Sequence, residues 1–210
     1  LLLETCFDAL NAKAALYALE RLLDDMDMAA RPDIAARLMA DGRFPVIVSA
    51  TVSDRSGRTL TGQTLEAFYT SVSHGPLVAF GLNCSLGAAE MYPLVKEVAR
   101  FARCPVSCHP NAGLPDGLGN YGETPDEMAE NMRRMAADGL LDIAGGCCGT
   151  TPDYIRAIAA AVNDCRPRHL RPEGAACSRP VLTVSGLEAV TVDLKTRNFT
   201  NVGERTNVAG

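Results

Sequence analysis

Short apolar runs alternate with segments of helical periodicity along this chain. Five apolar runs predict strands, at residues 1–5, 46–52, 77–82, 105–108 and 140–144. Most of these runs are continuously apolar rather than alternating, which is typical of strands buried on both faces of a parallel sheet. The pattern therefore predicts an α/β fold built from successive strand–helix units.

The segments between these strands carry apolar residues at helical spacing. Helices are predicted around residues 10–26, 64–73 and 91–101, each with an apolar stripe on one side. Pro93 lies within the third of them and is expected to cause a kink or a late start. A further helix is expected to follow the capping box at residues 124–127.

Strand–helix units in series fit either a (β/α)₈ barrel or an open doubly wound sheet. The open sheet would require a glycine-rich phosphate-binding turn, which we do not expect in this chain. In a barrel, all strands end at one mouth, so the residues that end each strand converge there. Those residues are Glu4 and Thr5, Ala50 and Thr51, Asn83 and Cys84, His109 to Asn111, and Cys147 and Cys148.

The cysteines in this set lie in unusual settings. Cys147 and Cys148 are adjacent within GGCCGTTP at 145–152, and Cys84 ends the run GLNC at 81–84. Neighbouring side chains of an extended strand face opposite ways, but flanking glycines allow a bend that turns both sulfurs to one side. Three thiolates leave one position open on a four-coordinate zinc ion, which is typical of catalytic zinc sites. The alternative is that these cysteines are buried free thiols, which behave as small apolar residues.

Composition limits the function classes. The chain has 210 residues, 47% of them apolar, with a net charge of −5. The chain has no basic cluster that would bind nucleic acid and no apolar run long enough to span a membrane. We therefore expect neither nucleic acid nor a membrane as a partner. The eight cysteines, without a secretory signal at the first residues, are expected to be reduced thiols of a cytoplasmic protein.

Six short runs resemble the zinc-dependent homocysteine S-methyltransferases, and within that family the cobalamin-dependent methionine synthases. The resemblance covers essentially the whole chain, and GGCCGTTP is its most specific part. The runs are LETCFD at 3–8, GRTLTGQ at 57–63, GLNC at 81–84, HPNAGLP at 109–115, GGCCGTTP at 145–152 and NVGERTN at 201–207.

The resemblance implies part of a (β/α)₈ TIM barrel, about strands four to eight. By that analogy, residues 1–164 are the C-terminal part of a homocysteine-binding barrel. Residues 165–198 are an interdomain linker, and residues 199–210 begin a pterin-binding domain for methyltetrahydrofolate. Neither end of the sequence resembles a natural domain end, so we expect a fragment of a longer polypeptide with little activity and weak homocysteine affinity on its own.

The resemblance also implies roles for individual residues. Cys84, Cys147 and Cys148 would bind Zn²⁺, with the sulfur of homocysteine as fourth ligand. Glu4 would receive the ammonium group of the substrate. Asn207 would bind folate. Separately from the resemblance, Asn111 ends the strand between those that carry Cys84 and the cysteine pair, so we expect it to supply an oxygen ligand when homocysteine is absent. The methyl group would come from methylcobalamin on another domain of the same full-length chain.

Two alternatives stay open. The first is a homocysteine methyltransferase that uses betaine or S-methylmethionine as the methyl donor. The second is a non-catalytic zinc module or an inactive fragment. Structural zinc sites prefer four protein ligands in closely spaced pairs, and the spacing here does not supply the fourth.

Overall fold

The computed structural model describes residues 1–168 and 181–200. Its main sheet has five parallel strands in the order β1-β2-β3-β4-β5, so each strand pairs with its neighbours in sequence. The strands are β1 (Leu2–Cys6), β2 (Val46–Ala50), β3 (Leu77–Gly87), β4 (Val106–Asn111) and β5 (Ile143–Ala144). The α/β class and the parallel sheet predicted from the apolar runs are confirmed.

Helices connect the strands, and several begin at the caps that their sequences supply. The Asp8 side chain accepts a hydrogen bond from the Leu10 N–H at the start of α1, and Thr64 accepts one from Ala67 at the start of α3. Thr124 and Glu127 form the expected capping box of α5. The helices are α1 (Ala9–Asp25), α2 (Pro32–Ala35), α3 (Leu65–Val72), α4 (Ala88–Phe101), α5 (Pro125–Ala137) and α6 (Pro152–Val162), with a 3₁₀ turn at Met28–Ala30.

The apolar core lies between this sheet and its helices. Phe80 and Leu82 of β3 are fully buried in this core, and so are the methionines along one side of α5. The opposite face of the strands is more polar, and it buries Ser49, Asn83, Ser107 and Asn111. In residues 1–168 and 181–200, no helix has both the length and the apolarity that crossing a bilayer requires.

Two boundaries differ from the prediction. Of the kink or late start predicted at Pro93, the late start is wrong, because α4 begins at Ala88 and includes Pro93, and the kink stays a prediction. Pro93 is tolerated at the sixth helical position, where it removes one hydrogen bond of the early turns. The fifth strand is shorter than 140–144, because the Asp142 carboxylate turns to accept the Val106 N–H at 2.8 Å.

Part of the predicted linker is structured. Strands β6 (Val181–Ser185) and β7 (Ala189–Asp193) form an antiparallel hairpin that packs against α3. The Thr64 N–H donates to the Leu187 carbonyl at 2.9 Å, and the hydroxyls of Ser71 and Ser185 lie 2.8 Å apart. The hairpin is therefore attached to the same unit as the barrel strands.

Candidate metal centre

Three thiols meet at the carboxyl ends of the strands. The Sγ atoms of Cys84 and Cys148 are 3.6 Å apart, and those of Cys147 and Cys148 are 4.0 Å apart. All three sulfurs lie within 4.8 Å of one another. Cys148 is exposed, whereas the other two are half-buried, so the cluster opens to solvent on one side.

Backbone hydrogen bonds attach the turn that carries the cysteine pair to β4. The Cys147 N–H donates to the Pro110 carbonyl at 2.8 Å, and the Ala112 N–H donates to the Cys148 carbonyl at 2.9 Å. The Thr150 hydroxyl closes the turn by donating to the Cys147 carbonyl at 2.7 Å. Both cysteines are thus held against the end of the neighbouring strand rather than in an extended strand of their own.

Two glycines of this turn are required by their surroundings. A Cβ at Gly145 would lie 2.4 Å from Cδ2 of His109, and a Cβ at Gly149 would lie 2.4 Å from Cγ of Tyr121. Gly149 also has a φ of +78°, in the left-handed region that favours glycine. The expectation that glycines allow the vicinal pair to bend is met at Gly149.

Cys84 reaches the cluster through a local distortion of β3. Cys84 and Ser85 have φ values of +63° and +70°, and the pairing of β3 with β4 shifts between Asn83 and Gly87. Left-handed conformations cost non-glycine residues roughly 1–2 kcal/mol each. Thr5, at the end of β1, has a φ of +57°, and with these two it makes up all the non-glycine residues with positive φ in the described part of the chain. Backbone strain is therefore concentrated around the thiols.

Asn83 links this strained part of β1 to the cluster. It is 1% exposed. Its Oδ1 accepts hydrogen bonds from the Thr5 N–H at 2.9 Å and from the Ser49 hydroxyl at 2.7 Å. Its Nδ2 donates to the Thr5 hydroxyl at 2.7 Å and faces Sγ of Cys147 at 3.8 Å. The buried amide thus has partners for both of its ends.

Burial opposes the ionisation of one thiol of the cluster, that of Cys147. The pKa of Cys147 is raised to about 11, mainly by burial, with a smaller contribution in the same direction from the sulfurs of Cys84 and Cys148, whereas the hydrogen bond from Asn83 lowers it. Burial also raises the pKa of the Tyr121 phenol, and so do the three nearby sulfurs. A cation among the sulfurs would reverse this balance, because it favours thiolates.

The other predicted site residues lie around the cluster or outside the described residues. Glu4 is exposed near the end of β1, next to Thr5. Burial lowers the pKa of His109, and the negative charge of Glu4 acts in the opposite direction. The side-chain oxygen of Asn111 accepts the Cys148 N–H at 3.1 Å. His109 lies against Gly145, outside the thiol cluster. Asn207 lies outside the described residues.

The expectation that the chain has no glycine-rich phosphate turn requires a correction. Residues 117–122 read GLGNYG, which has the spacing of a dinucleotide-binding turn. This run lies in the loop between β4 and α5 and does not open a helix. The Asp116 carboxylate accepts the N–H groups of Leu118 and Asn120, each at 2.8 Å. Those amides are therefore already bonded, and the run does not form a phosphate cradle.

Sequence reasoning did not identify Asn83 and Tyr121 as site residues. Asn83 directly precedes Cys84, and its position at a predicted strand end was the available indication. Tyr121 lies in a loop ten residues after Asn111, where no periodicity places a side chain. Its ring reaches the cluster because Gly149 leaves space for it.

Known proteins share this sequence pattern and this fold. A sequence profile described as homocysteine S-methyltransferase matches residues 1–162. The apo form of the Escherichia coli homocysteine methyltransferase MmuM is similar with a TM-score of 0.50 and 23% identity, over 76% of this chain and 48% of that one. The metallated form gives a TM-score of 0.46 and 25% identity, over 60% and 39% of the two chains.

The chain thus spans less than half the length of these solved structures. Similarity to the apo form supports the fold, in which the five parallel strands correspond to part of a barrel. The profile covers most of the chain, including all three thiols and the strands that carry them. The chain belongs to the homocysteine S-methyltransferase family.

Proposed function

We propose that Cys84, Cys147 and Cys148 hold a zinc ion that activates the thiol of homocysteine for methylation. The observation that carries this proposal is the convergence of three thiols within 4.8 Å at the strand ends. Two of them are adjacent in sequence and the third is more than sixty residues away. Simple packing of apolar thiols gives no reason for the strained backbone at Cys84.

The donor set fits zinc in both geometry and chemistry. Tetrahedral zinc with bonds of about 2.3 Å to sulfur requires sulfurs about 3.8 Å apart. The separations of 3.6 and 4.0 Å lie on either side of that value. Soft thiolate ligands favour zinc over hard cations such as magnesium.

The open side of the cluster is suited to a fourth sulfur. Cys148 is exposed, and Tyr121 lies beside the sulfurs at this side. Zinc bound to three thiolates would lower the pKa of a substrate thiol and keep it as a nucleophilic thiolate at neutral pH. The chain's own contribution is to hold the three sulfurs in place and to leave that position accessible.

Glu4 is the residue that we propose for the ammonium group of homocysteine. It lies one residue from Thr5, which is hydrogen-bonded to Asn83 beside Cys84. Leu3 packs against the core, so alternation along β1 directs Glu4 to the other face of the sheet, where the polar residues lie. The influence of its charge on His109 supports this placement. A carboxylate there would form a charge-assisted hydrogen bond with the substrate.

The methyl donor that we propose is methylcobalamin, and the product is methionine. The support is the resemblance of residues 201–207 to the start of a folate-binding domain, which separates cobalamin-dependent methionine synthases from single-domain relatives. By this reading, cobalamin and folate domains of a longer chain are the partners, and Asn207 contacts folate. S-methylmethionine and betaine are the alternative donors.

Metal–sulfur coordination tests the zinc and homocysteine parts of the proposal without requiring turnover. The zinc-loaded chain is expected to show three sulfurs by X-ray absorption, and four after homocysteine is added. Homoserine, in which a hydroxyl replaces the thiol, is the matched ligand control and should leave three.

Variants complete this test. Cys84→Ser should lose most of the zinc affinity, whereas Cys165→Ser, outside the cluster, should retain it. A metal shell with fewer than three sulfurs, or a fourth sulfur that does not depend on homocysteine, would contradict the proposal. The methyl donor is identified by measuring methyl transfer by a longer chain from methylcobalamin, from S-methylmethionine and from betaine.

A further inference from the structure

We propose that Asn83 is a positioning residue that holds the sulfur of Cys147 for the metal and couples it to the end of β1. The inference rests on the proposed zinc site and extends it to a residue outside the ligand set. It starts from the four contacts of the buried Asn83 amide, two on its oxygen and two on its nitrogen.

The hydrogen-bond partners fix which end of the amide faces the sulfur. The backbone N–H of Thr5 can only donate, so the atom that it contacts at 2.9 Å must be the oxygen. The NH₂ group then points the other way, to Sγ of Cys147 at 3.8 Å. A flipped amide would set a donor against the Thr5 N–H in a buried place, at a cost of about 1–3 kcal/mol.

A donor facing Cys147 has a specific consequence once the thiol is ionised. Hydrogen bonds to a charged acceptor are about twice as strong as neutral ones. The N–H of Asn83 therefore stabilises the form of Cys147 that a metal requires, and it restricts the direction from which the sulfur can bind.

The oxygen of the same amide explains how β1 is connected to the centre. Thr5 is β-branched and has a φ of +57°, a rare conformation for such a residue. Both its N–H and its hydroxyl are bonded to Asn83. The strained part of β1 that follows Glu4 is thereby fixed to the side chain that orients Cys147. Loss of the Asn83 amide should therefore disturb the metal centre and the proposed substrate-binding strand together.

The test is the Asn83→Asp variant, loaded with Co²⁺. Aspartate keeps an oxygen for Thr5 and Ser49 but replaces the N–H donor with a second oxygen facing Cys147. Loss of an outer hydrogen bond to a metal ligand typically lowers metal affinity about ten- to a hundred-fold. We expect a decrease in that range and a shift of the sulfur-to-cobalt charge-transfer band. Asn163→Asp adds the same charge on the surface and should match the wild type.

A measurement on the wild-type chain covers the case in which Asn83→Asp does not fold. The ¹⁵N side-chain resonances of Asn83 should shift when Cd²⁺ is added, and those of Asn163 should not. Unchanged Asn83 resonances, or an Asn83→Asp variant with wild-type affinity and spectrum, would overturn the inference. If the wild type itself binds Co²⁺ without a thiolate band, the proposed zinc site fails instead, so the two failures are distinguishable.

Discussion

The side-chain oxygen of Asn111 accepts a hydrogen bond from the backbone N–H of Cys148, with 3.1 Å between Oδ1 and N. Asn111 ends β4 and is 3% exposed, so its side chain is fixed within the protein. The bond ties the turn carrying the cysteine pair to the strand between the two groups of thiols. Asn111 therefore acts as an anchor of the cluster, and its proposed role as an oxygen ligand in the absence of homocysteine stays a prediction.

Replacing Asn111 distinguishes these two roles. Asn111→Ala removes the acceptor for the Cys148 N–H, and we expect zinc affinity to fall about tenfold because the turn loses an outer hydrogen bond. Homocysteine affinity of the zinc-loaded chain should fall with it, as measured by calorimetry. If homocysteine binds more tightly to the variant instead, Asn111 competes with the substrate for the metal and the ligand role is the main one. Asn163→Ala is the surface control.

Gly149 and Gly139 provide a matched pair of substitutions. Both have positive φ values, +78° and +67°, but a Cβ at Gly139 meets nothing within 4 Å, whereas one at Gly149 meets the Tyr121 ring. Gly139→Ala should lower the free energy of unfolding by about 1–2 kcal/mol, the cost of the left-handed conformation alone. Gly149→Ala should lower it further, because the ring must move.

The same pair also reports on the metal centre. Gly149 is next to Cys148 in the turn, so Gly149→Ala should weaken Co²⁺ binding, and Gly139→Ala should not. Urea unfolding and Co²⁺ titration of both variants provide the comparison. Equal losses of stability in the two variants would mean that Tyr121 moves away at no cost. The packing of its ring on the turn would then not contribute to the free energy of unfolding.

The local sequence was sufficient to predict the parallel strands and the start of α5. The capping box at Thr124 fixed the start of α5, and continuous apolar runs identified the parallel strands, because buried strands need apolar residues on both faces. The meeting of the three cysteines followed from topology, since residues that end parallel strands share one edge. The family resemblance gave the same grouping independently.

The backbone conformations that complete the site could not be predicted from the local sequence. The left-handed backbone at Thr5 and Cys84 contradicts local preference and exists only because tertiary hydrogen bonds such as those of Asn83 support it. The resemblance predicted a linker at residues 165–198, whereas β6 and β7 form a hairpin there that packs on α3 rather than joining the sheet. Such features depend on contacts between residues far apart in sequence.

Arg168 shows how a residue beyond the family match stabilises the fold. Its guanidinium is almost fully buried and donates to the carbonyls of Ala99, Ala102 and Cys104 at 3.0, 2.9 and 2.7 Å. Its Nε lies 3.6 Å from the Asp142 carboxylate. Arg168→Met would leave three carbonyls without this donor and a largely buried carboxylate without its ion pair. We expect a loss of about 3–5 kcal/mol in the free energy of unfolding.

The matched control for Arg168 is Arg156→Met on α6. Arg156 pairs with Asp153, but both side chains are 73% exposed, and exposed pairs contribute about 0–1 kcal/mol. Chemical denaturation of the two variants should show this contrast. Because Arg168 contacts the segment just before β4 rather than the strand ends, Co²⁺ affinity of the folded Arg168→Met variant should be unchanged. A loss below about 1 kcal/mol would show that water replaces the guanidinium without cost.

Cys108 gives the fold a dependence on alkaline pH that is separate from the metal centre. Its thiol is fully buried beside the sulfur of Met91, 3.7 Å away, and burial raises its pKa from 9.0 to about 12. A raised pKa in the folded state means that the stabilisation is fully present below pH 9.0 and is lost as the pH rises through about 12. In metal-free protein under reducing conditions, Cys108→Ala should abolish this contribution. The difference in unfolding free energy between wild type and variant should stay constant up to about pH 8 and shrink by about pH 11, as measured by urea denaturation. A difference that is independent of pH over this range would mean that the Cys108 thiolate is accommodated without unfolding.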